Sequence, residues 1–317
     1  MAEEKIAAAV DIGTNSVKLT VGRKRAEGNP EVLLDQTRIT RLGKGVGAGG
    51  RLTDEAVRAT IAALSDFGRD ARSQGAEVIA AVGTSALRDA ENGPDFVRDA
   101  EKALGGRIEI ISGDREAELI YRAARHDSDL GIPAGKEVIL VTLDIGGGST
   151  EIVIGQGARI YFRDSLQLGA VRLTERALPS DPPSASELAE AREVAEQTLA
   201  AVLDPPSGAV TLVGSGGTIA NLAAMELLAE KPGAKISPDV LHGTRLTLRQ
   251  IETRTESLAK VAPAERRKTP GLEPDRADVI VAGAIIVAAA LRRLGVEAVT
   301  VSARGLRFGL LYELLSH

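Results

Sequence analysis

Residues 139–155 read ILVTLDIGGGSTEIVIG, two apolar runs rich in β-branched residues on either side of a glycine turn. The first run ends in Asp144. The turn is Gly146-Gly147-Gly148-Ser149-Thr150, and Glu151 opens the second run. Two such runs joined by glycines predict a β-hairpin. Glycine admits backbone conformations that aim several N–H groups into one concavity, which is how a loop grips phosphate oxygens. Three successive glycines cost backbone entropy with no packing gain, so the turn reads as a phosphate cradle rather than a bare hairpin end. Asp144 and Glu151 stand at its neck, one per strand. Paired carboxylates beside a phosphate suit a hard cation such as Mg²⁺, held partly through water.

The same element occurs earlier in the chain. Residues 7–10 predict a buried strand, followed by Asp11-Ile12-Gly13-Thr14-Asn15-Ser16 and the strictly alternating run Val17-Lys18-Leu19-Thr20-Val21. Asp11-Ile12-Gly13 matches Asp144-Ile145-Gly146, and Ser16 matches Ser149 at the same offset. The repeat falls once in each half and adds Asp11 to the metal candidates Asp144 and Glu151. In the first half, three strands precede alternating helices and strands, and the second half follows that order approximately. This predicts an α/β chain of two related domains with mixed sheets, residues 1–127 and 128–317, the last helix free to pack back on the first domain. Such domains flanking a central cleft would bring both loops onto one ligand.

Length and composition are consistent with this. A chain of 317 residues can hold two cores. Apolar residues make up 44% but aromatics only 2%, so the cores must be built from Ala, Val, Leu and Ile. The absence of cysteine excludes disulfides, thiolate metal sites and a cysteine nucleophile. With an amino-terminal stretch that lacks signal-peptide character, it points to the cytoplasm. The longest apolar run, residues 279–291, is too short to span a bilayer and predicts a buried helix. A net charge of −5 argues against a general nucleic-acid binder, though not against an anionic ligand in a locally basic cleft. His126 and His242 are too sparse for a zinc site.

Other segments carry weaker signals. Residues 42–50 are glycine-dense around Lys44 and read equally as a lid or as a solvent loop. Gly83-Thr84-Ser85 leaves a strand with Arg88 close behind, a place to hold phosphate, although Arg88 reads equally as a surface ion-pair partner. In a helix over 115–125, Glu116 shares a side with Leu119, Ile120 and Ala123. Taken alone, it reads slightly better as an offset to the helix dipole than as a working carboxylate. Thr53 is a predicted N-cap, and Ser184 and Thr247 open capping boxes. The strand at 210–213 runs into Gly214-Ser215-Gly216-Gly217-Thr218, which places donors at a helix start. Arg266-Arg267-Lys268 reads as a solvated loop or a guide for a polyanion. A buried helix over 275–294, a strand at 297–301 and a helix over 305–315 complete the chain.

Together these stretches resemble the exopolyphosphatase / guanosine pentaphosphate phosphatase family of the actin-like ATPase superfamily. The resemblance is carried by residues 11–16, 83–90, 111–113 with Glu116-Ala117, 143–151, 214–218, 270–274 and Gly305-Leu306-Arg307, which run nearly end to end. It implies a ribonuclease-H-like (actin-like ATPase) fold in each domain and release of orthophosphate from the end of polyphosphate, or of the 5′-terminal phosphate of guanosine pentaphosphate. It assigns Glu116 as the catalytic base and Arg88 to the phosphate oxygens, with Gly13, Thr14, Asn15, Ser16, Lys18, Ser85, Gly146, Gly147, Gly148, Ser149, Thr150, Gly216, Gly217 and Thr218. It assigns Asp144 and Glu151, beside Asp11, to Mg²⁺, with Mn²⁺ as the alternative and a monovalent cation as a further candidate. The expected partners are the phosphate substrate and a second copy in a homodimer, with no nucleic acid and no membrane. An acceptor-dependent kinase and a non-catalytic sensor are the rival readings. Where relatives carry Glu-Ala-Arg this chain has Glu116-Ala117-Glu118, with Arg115 before it. Phe308 stands where an acidic residue is common. Many relatives carry a further helical C-terminal region, so a chain ending at His317 is expected to grip short polymers or a nucleotide better than long ones.

Overall fold

The computed structural model describes residues 5–26, 28–46, 50–132 and 138–316. Parts of the predicted loop at 42–50 and of the predicted link at 127–136 lie outside them, at 47–49 and 133–136, as do residues 1–4. The chain divides into two units, Met1–Ser128 with Gly305–His317, and Asp129–Arg304.

The first unit carries β1 (Ile6–Ile12), β2 (Ser16–Arg23), β3 (Glu31–Ile39), α1 (Asp54–Ser73), β4 (Val78–Gly83), α2 (Ser85–Asp89), α3 (Gly93–Leu104), β5 (Arg107–Ile110) and α4 (Gly113–His126). Its sheet runs β3-β2-β1-β4-β5, with β2 antiparallel to both neighbours and β4 and β5 parallel to β1. Alternation along β1 decides what covers each face. Ala8, Val10 and Ile12 meet Leu64 and Phe67 of α1 and Phe96 and Leu104 of α3. Ala7 and Ala9 meet Leu119, Ile120 and Ala123 of α4 with Leu310 and Leu311 of the C-terminal helix. Asp11, in step with Ala7 and Ala9, therefore lies on the α4 face. The predicted N-cap forms, since Thr53 accepts the Ala56 amide at 3.3 Å. The predicted turn after β4 instead coils into α2.

The second unit carries β6 (Ile139–Ile145), β7 (Thr150–Gln156), β8 (Arg159–Leu166), α5 (Ala170–Ala177), α6 (Ala185–Ala200), β9 (Val210–Ser215), α7 (Gly217–Glu230), α8 (Pro238–Leu241), β10 (Arg245–Thr247), α9 (Leu248–Ala259), α10 (Pro263–Arg266), α11 (Ile280–Leu294) and β11 (Ala298–Val301). Its sheet is β10-β11-β9-β6-β7-β8. From β8 inward the first five strands repeat the order of the first unit, with β7 as the antiparallel second strand. β10 pairs antiparallel with β11 as an extra edge, a strand too short to show in the sequence pattern. Each unit is thus the expected ribonuclease-H-like α/β sheet.

Both capping boxes form, at Ser184 and Thr247. The buried helix starts at Ile280 rather than 275, because Pro274 opens a separate 3₁₀ turn, Pro274–Arg276. All of α11 except its polar end is buried. The C-terminal helix α12 (Leu306–Ser316) belongs to the first unit. It is fixed there by Arg307, which donates to Thr20 Oγ1 at 2.6 Å and to Asp35 Oδ2 at 2.7 Å. Phe308 is buried beside it, 3% exposed, so this departure from the family pattern is absorbed by the core. Among the described residues no helix is long and apolar enough to cross a membrane.

Candidate active site

The first unit places four predicted residues on the face covered by α4. Asp11 and Lys18 are directly opposite in the β1/β2 register, and the Lys18 ammonium lies 3.5 Å from Asp11 Oδ2. Asp11 thus has a resident cation. Arg88, the last basic residue of α2, sends Nη1 to Glu116 Oε2 at 2.7 Å and to the Ile111 carbonyl at 3.0 Å. The Ser112 cap starts α4 and sets Glu116 in its first turn, where the residue is 7% exposed. Burying a carboxylate is costly without a charged partner, and Arg88 is that partner. All the described bonds of Arg88 use Nη1, and guanidinium carries further donors on Nε and Nη2. Arg115, the basic residue displaced from the far side of Glu116, is bound to Glu313 of α12 and lies 3.5 Å from Glu118. The Glu313 hydrogen bond raises the Arg115 pKa above its ordinary value. That cation is committed to α12.

The turn between β1 and β2 is closed by the Gly13 amide donating to the Ser16 carbonyl at 3.0 Å. Its outer carbonyls are taken up as well: Thr14 O by the Gly43 amide at 2.9 Å, and Asn15 O by the amides of Thr40 and Arg41 at 3.1 and 3.0 Å. The amides of Thr14 and Asn15 donate to none of the described backbone acceptors. Ser85 is buried and its hydroxyl donates to Asp89 Oδ2 at 3.2 Å.

The second unit repeats the hairpin. Gly146 N donates to Ser149 O at 3.0 Å, the counterpart of the Gly13 bond. Asp144 and Glu151 are directly opposite in the β6/β7 register, the positions held by Asp11 and Lys18 in the first unit. One cross-strand residue separates the two copies: lysine faces aspartate in the first, glutamate faces aspartate in the second. Glu151 is 2% exposed and accepts from Ser165 Oγ at 2.7 Å. Like charges directly opposite destabilise a sheet unless something neutralises them, and two carboxylates here match the donor set of a hard divalent cation.

Asp144 is also in register with Ser215, and Gly216 follows at φ 97°. A Cβ on Gly216 would lie 2.7 Å from Asp144 Oδ1, so glycine lets the start of α7 close on that carboxylate. Thr218 is buried against Gly283 of α11. Thr150, expected among the phosphate donors, is fully buried and its hydroxyl donates to the Leu168 carbonyl, so it anchors a neighbouring segment. Ser16 and Ser149 are buried at the two turns.

Two arginines depart from the sequence reading. Arg266 is not solvated: it is 1% exposed, bidentate to Asp181, and bonded to the carbonyls of Leu258, Val261 and Ala277. Only Arg267 and Lys268 of that cluster are exposed. Arg276 was missed. Its guanidinium lies so close over Gly217 that a Cβ there would be 2.1 Å from Cζ, and Glu273 holds it by a hydrogen bond. A lone arginine after Glu-Pro-Asp carries no local signal; its cation reaches the start of α7 only through tertiary packing.

The chain is similar to proteins already known. The model of the Ppx/GppA phosphatase family matches residues 20–317. Exopolyphosphatase 2 of Mycobacterium tuberculosis is 36% identical over 97% of this chain and 98% of its own length. A guanosine-5′-triphosphate,3′-diphosphate pyrophosphatase of Photobacterium profundum is 30% identical, aligning 98% of this chain with 59% of that protein. The crystal structure of the Aquifex aeolicus member of the Ppx/GppA protein family superposes with a TM-score of 0.80 at 34% identity, covering 98% of both chains.

Proposed function

The chain belongs to the Ppx/GppA phosphatase family and is a phosphoanhydride hydrolase, and from that premise we propose that it releases orthophosphate from the end of short inorganic polyphosphate with the residues described above. The observation that carries the reading is the opposed Asp144–Glu151 pair at the neck of a glycine turn whose carbonyls are engaged elsewhere. Asp144 and Glu151 would hold a divalent cation, Mg²⁺ in this reading, which when bound neutralises phosphoryl oxygens.

The chain's own groups supply the rest. The amides of Gly147 and Gly148, and those of Thr14 and Asn15, bind phosphoryl oxygens as neutral donors that carry no counter-charge. Lys18, steadied by Asp11, and Arg276, steadied by Glu273, add fixed positive charge. Glu116 accepts the proton of the attacking water and orients it, and Arg88 fixes the carboxylate at 2.7 Å while keeping other donors for substrate. Phosphoryl transfer asks the protein chiefly for positioning and charge stabilisation, and this set supplies both.

A second reading, removal of the 5′-terminal phosphate of guanosine pentaphosphate, is favoured by the pyrophosphatase relative. The exopolyphosphatase relative, aligned over 98% of its length, favours the first. Phosphate release from short polyphosphate, long polyphosphate and guanosine pentaphosphate, each with and without Mg²⁺, separates them. Glu116→Gln is expected to keep binding and lose roughly 10²–10⁴ in turnover. Near-normal turnover in that variant would remove Glu116 from the mechanism.

A further inference from the structure

The glycine turn is only half of each repeated element. Aligning the hairpins sets Thr14 against Gly147 and Asn15 against Gly148. In both units the segment that follows the third strand returns to these positions and takes up their carbonyls. In the first, Gly43 N donates to Thr14 O at 2.9 Å, and Thr40 N and Arg41 N donate to Asn15 O. In the second, Val171 N donates to Gly147 O at 2.8 Å, Arg172 N donates to the same oxygen at 3.1 Å, and Arg172 Nε donates to Gly148 O at 2.9 Å. Ala170 N adds a bond to Gly146 O at 2.9 Å.

The returning segments share a Leu-Gly pair, Leu42-Gly43 and Leu168-Gly169, with both leucines buried. Neither glycine has positive φ. Both are needed for closeness instead. A Cβ on Gly43 would lie 2.4 Å from Thr14 Cγ2, and a Cβ on Gly169 would lie 2.4 Å from Gly147 O. The first amides of α5 would otherwise lack acceptors, as at any helix start, and the turn carbonyls serve them.

This repeated geometry identifies a buttress for each phosphate turn. We propose that Gly43 and Gly169, with Arg172, are positioning residues: they hold the turn carbonyls inward and so leave the amides of residues 14–15 and 147–148 to a phosphoryl group. The inference rests on the phosphohydrolase reading and adds the residues that preorganise its anion site. They touch the turn, not the substrate.

The test is Gly169→Ala in the full chain, assayed with tripolyphosphate and Mg²⁺ and with orthophosphate as competitive inhibitor. Each amide bond to a charged oxygen contributes enough for about a tenfold change in affinity. The expected result is a rise of about tenfold or more in both KM and the orthophosphate inhibition constant, with kcat changed much less. A loss confined to the folded fraction would lower apparent kcat and leave both constants alone. Should Gly169→Ala fail to fold, Arg172→Gln removes the bond to Gly148 O at a half-buried position and is expected to shift both constants the same way by a smaller factor. For Gly43→Ala the nearest obstacle is a side chain, so Thr14→Gly added to it should recover part of the lost affinity. Wild-type constants in Gly169→Ala, or in Arg172→Gln where the first does not fold, would overturn the inference. If the wild-type protein releases phosphate from no substrate, the functional reading fails and this inference falls with it.

Discussion

Arg266→Met offers a strong check on the second unit. Arg266 makes five hydrogen bonds: Nε to Leu258 O at 2.9 Å, Nη1 to Ala277 O at 2.8 Å and Asp181 Oδ2 at 3.1 Å, and Nη2 to Asp181 Oδ1 at 2.7 Å and Val261 O at 3.0 Å. Leu258 O belongs to the last turn of α9, where carbonyls have no helical partner, so the guanidinium caps that helix. Methionine fills comparable space but satisfies none of these acceptors. Removing one partner of a buried ion pair costs about 3–5 kcal/mol. The Asp181 side chain is 31% exposed and water can rescue it, so the low end, about 3 kcal/mol, applies. At about 2–4 °C per kcal/mol for a unit of this size, the melting transition of the second unit should fall by about 6–12 °C. Differential scanning calorimetry reads this directly. Arg266→Lys should recover only part, because an ammonium has three donors and no planar fork. Asp181→Asn combined with Arg266→Met should cost less than the two single losses added together, the sign of a coupled pair. A drop of under about 2 °C would mean that Arg266 is solvated after all and that the tie to Ala277, next to Arg276, is not formed.

Two further outcomes follow from the charges. With Asp144 and Glu151 as the proposed cation ligands, wild type is expected to melt higher and to release phosphate faster with Mg²⁺ than in EDTA, and Glu151→Gln, which keeps the Ser165 bond, is expected to show neither effect. In EDTA this variant should melt no lower than wild type, since like charges opposite each other are worth about 0.2–1 kcal/mol, and a clear drop in EDTA would argue against repulsion between Asp144 and Glu151. The amide and hydroxyl of Ser184 hold the Glu187 carboxyl down to about 2 from its ordinary 4.5. A lowered carboxyl stabilises the fold fully above its unfolded value, and that contribution fades as pH falls through 4.5 toward about 2. The protection of the amides at the start of α6, taken relative to their intrinsic exchange rate at each pH, should fall in that window in wild type and stay level in Glu187→Gln.

Local rules account for what could be read directly. The hairpins at 11–21 and 139–155 are set by β-branched runs and glycine, and the helix starts at Thr53, Ser184 and Thr247 by a side chain reaching an amide three residues on. These interactions close within a few residues, so their pattern is in the sequence. The start of α11 was misplaced because Asp275 to Asp278 carries no clear breaker beyond Pro274, and a 3₁₀ turn competes there. Glu116 was legible through a family resemblance more than through its own spacing; a first-turn acid serves a helix dipole as well as a reaction.

The sequence by itself determined that this protein repeats an Asp-Ile-Gly hairpin in two α/β halves, and it marked the residues at the turns, because periodicity and glycine act over short range. Only the tertiary structure decided that Lys18 and Glu151 occupy the same cross-strand position. It also decided that Arg88 lies against Glu116, that Arg276 covers Gly217, that Arg266 is buried, and that Leu-Gly segments more than 20 residues downstream close on the turns. Apart from the two hairpin positions, these pairings join residues far apart in the chain, and their energy depends on strand register and burial, which exist only once the sheets have formed.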